Sequence, residues 1–350
     1  MTMPCLRVKI FIVVCVALFL SQKWWLPLGH TLFNLVALSS RWRQASVQSF
    51  ISKDRDDFDV TFASYPVNQS TAGSGYQDLI PPILHHIHLG PHEPRPEWMG
   101  ARDECIRYHP NWKAYIWDDD SAEKLVNEEF PHLSDMWKDY RYPVERVDAL
   151  RYMVLQTYGG VVLDFDLACK RSLGPLRRFE FVAPAAHPTG FSIGFMMASQ
   201  GNEFVRDLVD NLTRYNHVWF YLPYVAVMFS TGCHYASTIF TLQENRNPLR
   251  ILGGITGSPR LHMLNGFVDT PLFRHLGSSS WHNFDAALIN WIGHLRSGSI
   301  IISLIFVASL LLTVYVTRLC LRRRRCSAAR DKAMGDRFDS ERGFSCIKEA

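Results

Sequence analysis

Between its two ends the chain has no surplus of positive charge. The tail from Arg318 carries ten Lys and Arg against five Asp and Glu, and Arg7 and Lys9 lie near the start. With a formal net charge of +4, the stretch between stands at −3. A nucleic-acid binder carries its positive charge on the folded body, so that class is excluded. Cysteine is scarce in the same stretch. Of eight cysteines, only Cys105, Cys169 and Cys233 fall there. Three cannot all pair, which excludes a disulfide framework, and their spacing fits no zinc site. Cys5, Cys15, Cys320 and Cys326 sit beside apolar runs, where palmitoylation competes with an idle thiol. No internal repeat or low-complexity tract is present.

Charge of either sign is missing between Arg296 and Arg318. That run of about twenty residues is long enough to cross a hydrocarbon core of about 30 Å. Arg322, Arg323, Arg324 and Arg325 follow it, which places the C-terminus in the cytosol by the positive-inside rule. An earlier apolar run, 10–20, is shorter, with Arg7 and Lys9 before it and Trp24 and Trp25 behind. No small-x-small cleavage site follows Leu20, which favours an uncleaved anchor over a cleaved signal. Both termini are then expected in the cytosol and the body in the lumen. The sequons Asn68-Gln69-Ser70 and Asn211-Leu212-Thr213 fit a luminal body.

The expected organisation follows in order. It runs from a cytosolic N-terminus (1–9) through a signal-anchor (10–28) and a polar stem or linker (29–79) to a luminal domain (80–285). A juxtamembrane amphipathic helix (286–298), a transmembrane helix (299–317) and a basic cytosolic tail (318–350) complete it. The luminal domain opens on Ile83, Leu84, Ile87 and Leu89, an apolar run closed by Gly90-Pro91 that predicts a strand. Residues 98–108 predict a helix and 111–117 a second strand. Asp118-Asp119-Asp120 comes next, with a helix expected from Ser121 as its N-cap. Val147, Leu150, Val154, Leu155 and Tyr158 recur at helical spacing until Gly159-Gly160, where a C′ glycine ends a helix. Val161-Val162-Leu163 then predicts a strand that stops at Asp164-Phe165-Asp166. Alternating strands and helices predict an α/β domain with a largely parallel sheet, flanked by N- and C-terminal transmembrane helices.

In open α/β sheets ligands gather beyond the carboxyl ends of the strands, where this acidic pair falls. Asp164 and Asp166 can point together while Phe165 turns away. Two carboxylates so placed suit a hard divalent cation bound to a diphosphate. Most Asp-x-Asp triplets are solvated loop acids; the preceding helix, Gly-Gly and three aliphatics set this one apart. Asp148 and Arg151 share one helical turn. They form a surface ion pair, or Arg151 faces a donor's phosphates or sugar. His85, His86, His88 and His92 crowd one stretch, as histidines commonly do without a metal.

The segments 147–152 and 158–166 resemble the signature of the DXD sugar transferases, which include the Golgi mannosyltransferases and the catalytic subunits of fungal inositol phosphorylceramide mannosyltransferase. Ile80-Pro81-Pro82-Ile83-Leu84-His85-His86 resembles that family's opening strand, Trp117-Asp118 the end of its second, and 277–282 its terminal Ser-Trp block. The resemblance spans about residues 80–285. It implies a GT-A-like nucleotide-sugar-binding domain, retention of anomeric configuration, and Mn²⁺ (or Mg²⁺) on the acidic pair. By it, Asp148 and Arg151 hold the donor sugar, Asp166 ligates the metal, and Asp164 contacts ribose or metal-bound water. Ser280 and Trp281 close over the diphosphate, and His275 or His282 completes the coordination. There are departures: Thr231-Gly232-Cys233 stands where Thr-Gly-Pro is expected, and Ser192-Ile193-Gly194 where an Asn often precedes the Phe-Met pair.

Phe284, Leu288, Trp291, Ile292 and Leu295 fall on one helical face and lead into the second apolar run. The stretch 219–229 either dips into the membrane interface or forms a core helix. Such an enzyme suits a lipid-borne acceptor, so the expected reaction moves mannose from GDP-mannose to an inositol phosphorylceramide. An α-mannosyltransferase acting on protein or N-glycan acceptors, and a non-catalytic membrane subunit, are the alternatives. The need for a membrane regulatory subunit stays open, and no nucleic acid is expected.

Overall fold

The computed structural model describes residues 26–264, 266–277, 285, 307–313, 315 and 318. The chain divides into two units, 1–287 and 288–350. In the second, 307–313 are helical. The anchor expected at 10–20 and the amphipathic helix at 286–298 lie outside the described residues, as does most of the span at 299–317. Among the described residues one stretch, Pro223–Leu242, is long and apolar enough to cross a membrane, and it is mostly buried.

Six strands form the main sheet of the first unit: β1 (Ile83–Ile87), β2 (Lys113–Trp117), β3 (Gly160–Leu163), β5 (Phe181–Pro184), β6 (Phe195–Ala198) and β7 (Leu249–Leu252). Their order is β2-β1-β3-β6-β5-β7. β1 runs parallel to both β2 and β3, and β5 to β7; only β6 is antiparallel to its neighbours. The sheet is therefore mixed and largely parallel, as expected. A small second sheet joins β4 (Leu167–Cys169), β9 (Phe273–Leu276) and β8 (Phe267–Asp269) in that order.

Seven helices matter here: α1 (Leu38–Ala45), α2 (Pro96–Tyr108), α3 (Asp119–Glu129), α4 (Pro143–Tyr158), α5 (Glu203–Asp210), α6 (Pro223–Ser230) and α7 (Cys233–Leu242). Pro143 opens α4, where a missing N–H costs nothing. Residues 148–155 of this helix are all buried, so α4 is an interior helix rather than an amphipathic one. Gly159 and Gly160, both at positive φ, turn the chain straight into β3. A Cβ on Gly160 would stand 2.7 Å from the Ile83 carbonyl oxygen, so the close approach of β3 to β1 requires glycine here. β3 is buried throughout, which suits its unbroken aliphatic run.

Two expectations are corrected. Residues 29–79 are no linker: Leu35, Leu38, Phe58 and Phe62 are fully buried, α1 packs on α7, and Phe50 bridges Ile251 beside β7. The polar residues that gave the stretch its linker composition fold it locally. Asp59 accepts hydrogen bonds from the amides and hydroxyls of Thr61 and Ser64. Burial opposes ionisation of Asp59, yet these bonds hold its carboxyl down at about 2. The second correction concerns α3, whose N-cap lies three residues early. Asp118 is its N-cap, accepting from the Ser121 amide at 2.9 Å, and Ser121 sits inside the helix.

Candidate active site

The sheet reverses its winding between β1 and β3, which lie side by side while the chain leaves β1 first for β2. Such a switch point leaves a crevice at the carboxyl ends of the strands. Asp164, Phe165 and Asp166 occupy it, between β3 and β4. The Asp164 amide donates to the Gly194 carbonyl at 2.8 Å, and the Leu276 amide donates to the Asp166 carbonyl at 2.8 Å. The triplet is thus held from both sides, by the turn before β6 and by β9.

α4 delivers Asp148 and Arg151 to the same place. The Arg151 guanidinium lies 2.5 Å from an Asp164 carboxylate oxygen and 3.4 Å from one of Asp148. It also donates to the Ile193 carbonyl at 3.3 Å. Asp148 accepts a 3.3 Å hydrogen bond from the Thr231 hydroxyl. This is not the surface ion pair that the spacing alone allows: both side chains are buried.

Burial sets the electrostatics. It pushes the Asp148 carboxyl up to about 7 against the pull of Arg151. Its recessed position raises Asp164 as well, again opposed by Arg151 and aided by Asp166. Arg151 stays charged, its loss of water outweighed by Asp164 and Asp148. On β9, His275 Nε2 lies 3.2 Å from Asp166 Oδ2, while Nδ1 bonds the Gly266 carbonyl. Burial would lower the His275 pKa, but the contact with Asp166 wins and raises it.

Asp148, Arg151, Asp164, Asp166 and His275 therefore converge. Ser280, Trp281 and His282 lie outside the described residues. Among the described residues no three His, Cys, Asp or Glu side chains are arranged to hold an ion. Two carboxylates beside an imidazole still fit the site type in which protein supplies one or two ligands and phosphate and water supply the rest. The histidine cluster near β1 is structural. His85 accepts from the Trp117 indole at 3.2 Å and bonds the Gly159 carbonyl at 3.0 Å, and burial lowers it to about 4. His86 packs on Phe165 and His88 bonds the His92 carbonyl.

Thr231, Ile193 and Gly194 were not singled out as site residues from sequence. They lie 83, 42 and 30 residues from their partners, and no local pattern signals such contacts.

The family of the glycosyltransferase sugar-binding region containing the DXD motif matches residues 95–182. Over that region the chain is similar to the DXD-containing glycosyltransferases. The match runs from α2 into β5 and includes all four of Asp148, Arg151, Asp164 and Asp166. This glycosyltransferase is 28% identical over 271 residues to inositol phosphoceramide mannosyltransferase 1 of Schizosaccharomyces pombe, covering 76% of this chain and 81% of that one. It is 32% identical over 216 residues to mannosyl phosphorylinositol ceramide synthase SUR1 of Saccharomyces cerevisiae, covering 60% and 54%. The chain thus spans about half the length of that budding-yeast relative. Among solved structures, the PaToxG glycosyltransferase aligns at a TM-score of 0.38 with 12% identity, over 60% of this chain and 78% of that one. Likeness at that level carries no argument.

Proposed function

We propose that this glycosyltransferase is a GT-A-like, metal-dependent, retaining enzyme that transfers mannose from GDP-mannose to an inositol phosphorylceramide. The observation that carries the reading is Arg151, held between Asp148 and Asp164 beside the Asp166–His275 pair. The names of the fungal relatives support the sugar and the acceptor.

In this reading Arg151 binds the donor. Its planar guanidinium, fixed by two carboxylates and a carbonyl, loses little freedom on meeting phosphate or sugar oxygens. Asp148 accepts a sugar hydroxyl and is kept in place by Thr231. Asp166 would hold Mn²⁺ or Mg²⁺, with Asp164 or His275 as a second protein ligand. Such an ion neutralises charge growing on the leaving diphosphate. Ser280 and Trp281 would close over the diphosphate, and His282 is the alternative to His275 in completing the coordination.

The protein resides in a Golgi or ER–Golgi membrane, with its body luminal and both termini cytosolic. The Cys105–Cys169 disulfide fits that oxidising compartment. The test is purified protein incubated with a panel of nucleotide sugars, Mn²⁺ and either inositol phosphorylceramide or soluble mannosides. Mannosylated lipid from GDP-mannose alone is expected. Equal transfer to soluble mannosides would overturn the lipid acceptor in favour of a glycan one.

A further inference from the structure

The helix over residues 26–36 leaves much of its apolar surface exposed. Thr31 and Asn34 are buried. Leu26, Phe33 and Val36, which fall within about 80° of one another at 100° per residue, are 56%, 61% and 69% exposed. The buried polar groups are satisfied inward. Thr31 donates to the Pro27 carbonyl at 2.9 Å and accepts from Arg214 at 3.1 Å, and Asn34 accepts from Arg41 at 2.9 Å. A helix bordering water puts its apolar stripe against the core. This one buries Leu35 but seats Thr31 and Asn34 with it, and leaves Leu26, Phe33 and Val36 outside.

Arg214, which also lies 2.8 Å from His30, connects this helix to the loop that precedes α6. There Trp219 is buried and donates to the Tyr215 carbonyl at 3.1 Å. The next two residues, Phe220 and Tyr221, have φ of 53° and 56° and are 60% and 83% exposed. Positive φ is a genuine outlier for a bulky side chain. Strain of that kind persists where the surroundings impose it, often at binding sites.

The sequence says what lies outside. Leu20 ends the apolar run read as a membrane anchor, and Leu26 opens the helix six residues later. At about 3.5 Å per residue the chain between spans at most about 21 Å. Trp24 and Trp25, residue types of the membrane interface, fill the gap. Lys23, Arg41 and Arg214 supply positive charge for anionic headgroups.

We propose that the 26–36 helix and the 218–222 loop form one docking face on an anionic phospholipid bilayer, with Phe33, Phe220 and Tyr221 in its headgroup layer. The proposal rests on the membrane-anchored reading above and adds the surface that orients the site. α6 leads directly from Leu222 to Thr231, the residue that bonds Asp148. Its eight residues cover about 12 Å at 1.5 Å per residue. A lipid headgroup beside the loop thus lies within one short helix of the donor-binding residues.

The test uses the full chain in nanodiscs of phosphatidylcholine with phosphatidylinositol. A benzophenone amino acid replaces Phe33 or Tyr221, and Tyr115, exposed on β2, serves as the control. Irradiation should give lipid adducts severalfold more abundant at 33 and 221 than at 115. Adduct levels equal to the control, or adducts to another protein in a cell membrane, would overturn the docking face. Crosslinking needs neither donor nor acceptor, so an error in the assigned sugar or lipid would leave it intact. In a second measurement, Phe220→Glu with Tyr221→Glu should lower transfer to bilayer-borne lipid severalfold and leave donor hydrolysis by water unchanged. Unchanged lipid transfer by that variant would equally sink the proposal.

Discussion

Two acidic runs end parallel strands of the same sheet, and they have opposite fates. Asp118-Asp119-Asp120 follows β2, the edge strand, and opens to water. Asp118 caps α3, and Asp119 accepts from the Gly90 amide at 2.6 Å and meets Arg146 at 3.2 Å. Hydrogen bonds from Ser121 lower the Asp118 pKa. Asp164-Phe165-Asp166 follows β3, an interior strand, and β9 pairs with β4 just beyond it. There burial raises the Asp164 pKa, and Arg151 from α4 and His275 from β9 face the two carboxylates. Acid density therefore does not make a site. Loss of water, matched by a buried charged partner, does.

The largest break of this contrast should come from Arg151→Ala. Removing one partner of a buried charge cluster costs about 3–5 kcal/mol, read by urea unfolding, and adding Asp148→Asn should recover part of it. Stability unchanged by Arg151→Ala would mean that the carboxylates are solvated after all. Next comes Asp166→Asn, which keeps shape and removes charge. Transfer should fall about 100-fold or more, the scale of losing one electrostatic group at a reacting centre, while the melting temperature without ligand hardly moves. A variant with undiminished turnover would remove Asp166 from the metal site.

A smaller effect follows from Asp148. Its carboxyl titrates near 7 in the fold against 3.8 as the ordinary value. Between those values the folded chain keeps a proton that the unfolded chain releases. The resulting stability is fully present below pH 3.8 and lost as pH rises through 7. Asp148→Asn has no such dependence, so its melting temperature should gain on the wild type as pH climbs through that window. Parallel curves would contradict the raised value. The smallest effect belongs to the edge run: Asp118→Ala should cost about 1 kcal/mol, the usual worth of an N-cap. A loss as large as that of Arg151→Ala would erase the distinction between the two runs.

The parallel half of the fold was legible because β1, β2, β3 and α4 each carry a local signal. Gly159-Gly160 marked the end of α4, and the aliphatic run before Asp164 marked a buried strand. From those, the place of Asp164 and Asp166 followed. His275 came forward through the family resemblance alone; its approach to Asp166 depends on the pairing of β9 with β4, across a hundred residues. The packing of 29–79 was illegible for a related reason. Phe58 and Phe62 stand among turn-forming polar residues, and neither a period of two nor one of 3.6 runs through them.

Gly194 sets a limit on what mutation can do unnoticed at the site. A Cβ there would stand 2.6 Å from Asp164 Oδ2, with no other atom nearer than 3.4 Å. Any larger residue would push against the tip of the carboxylate that pairs with Arg151 and leave the backbone alone. Gly194→Ala should therefore swing Asp164 away from Arg151 and lose less stability than Arg151→Ala, because Asp148 stays paired with the guanidinium. A single added methyl could then separate the resting ion pair from the donor-bound arrangement while the backbone around it stays in place.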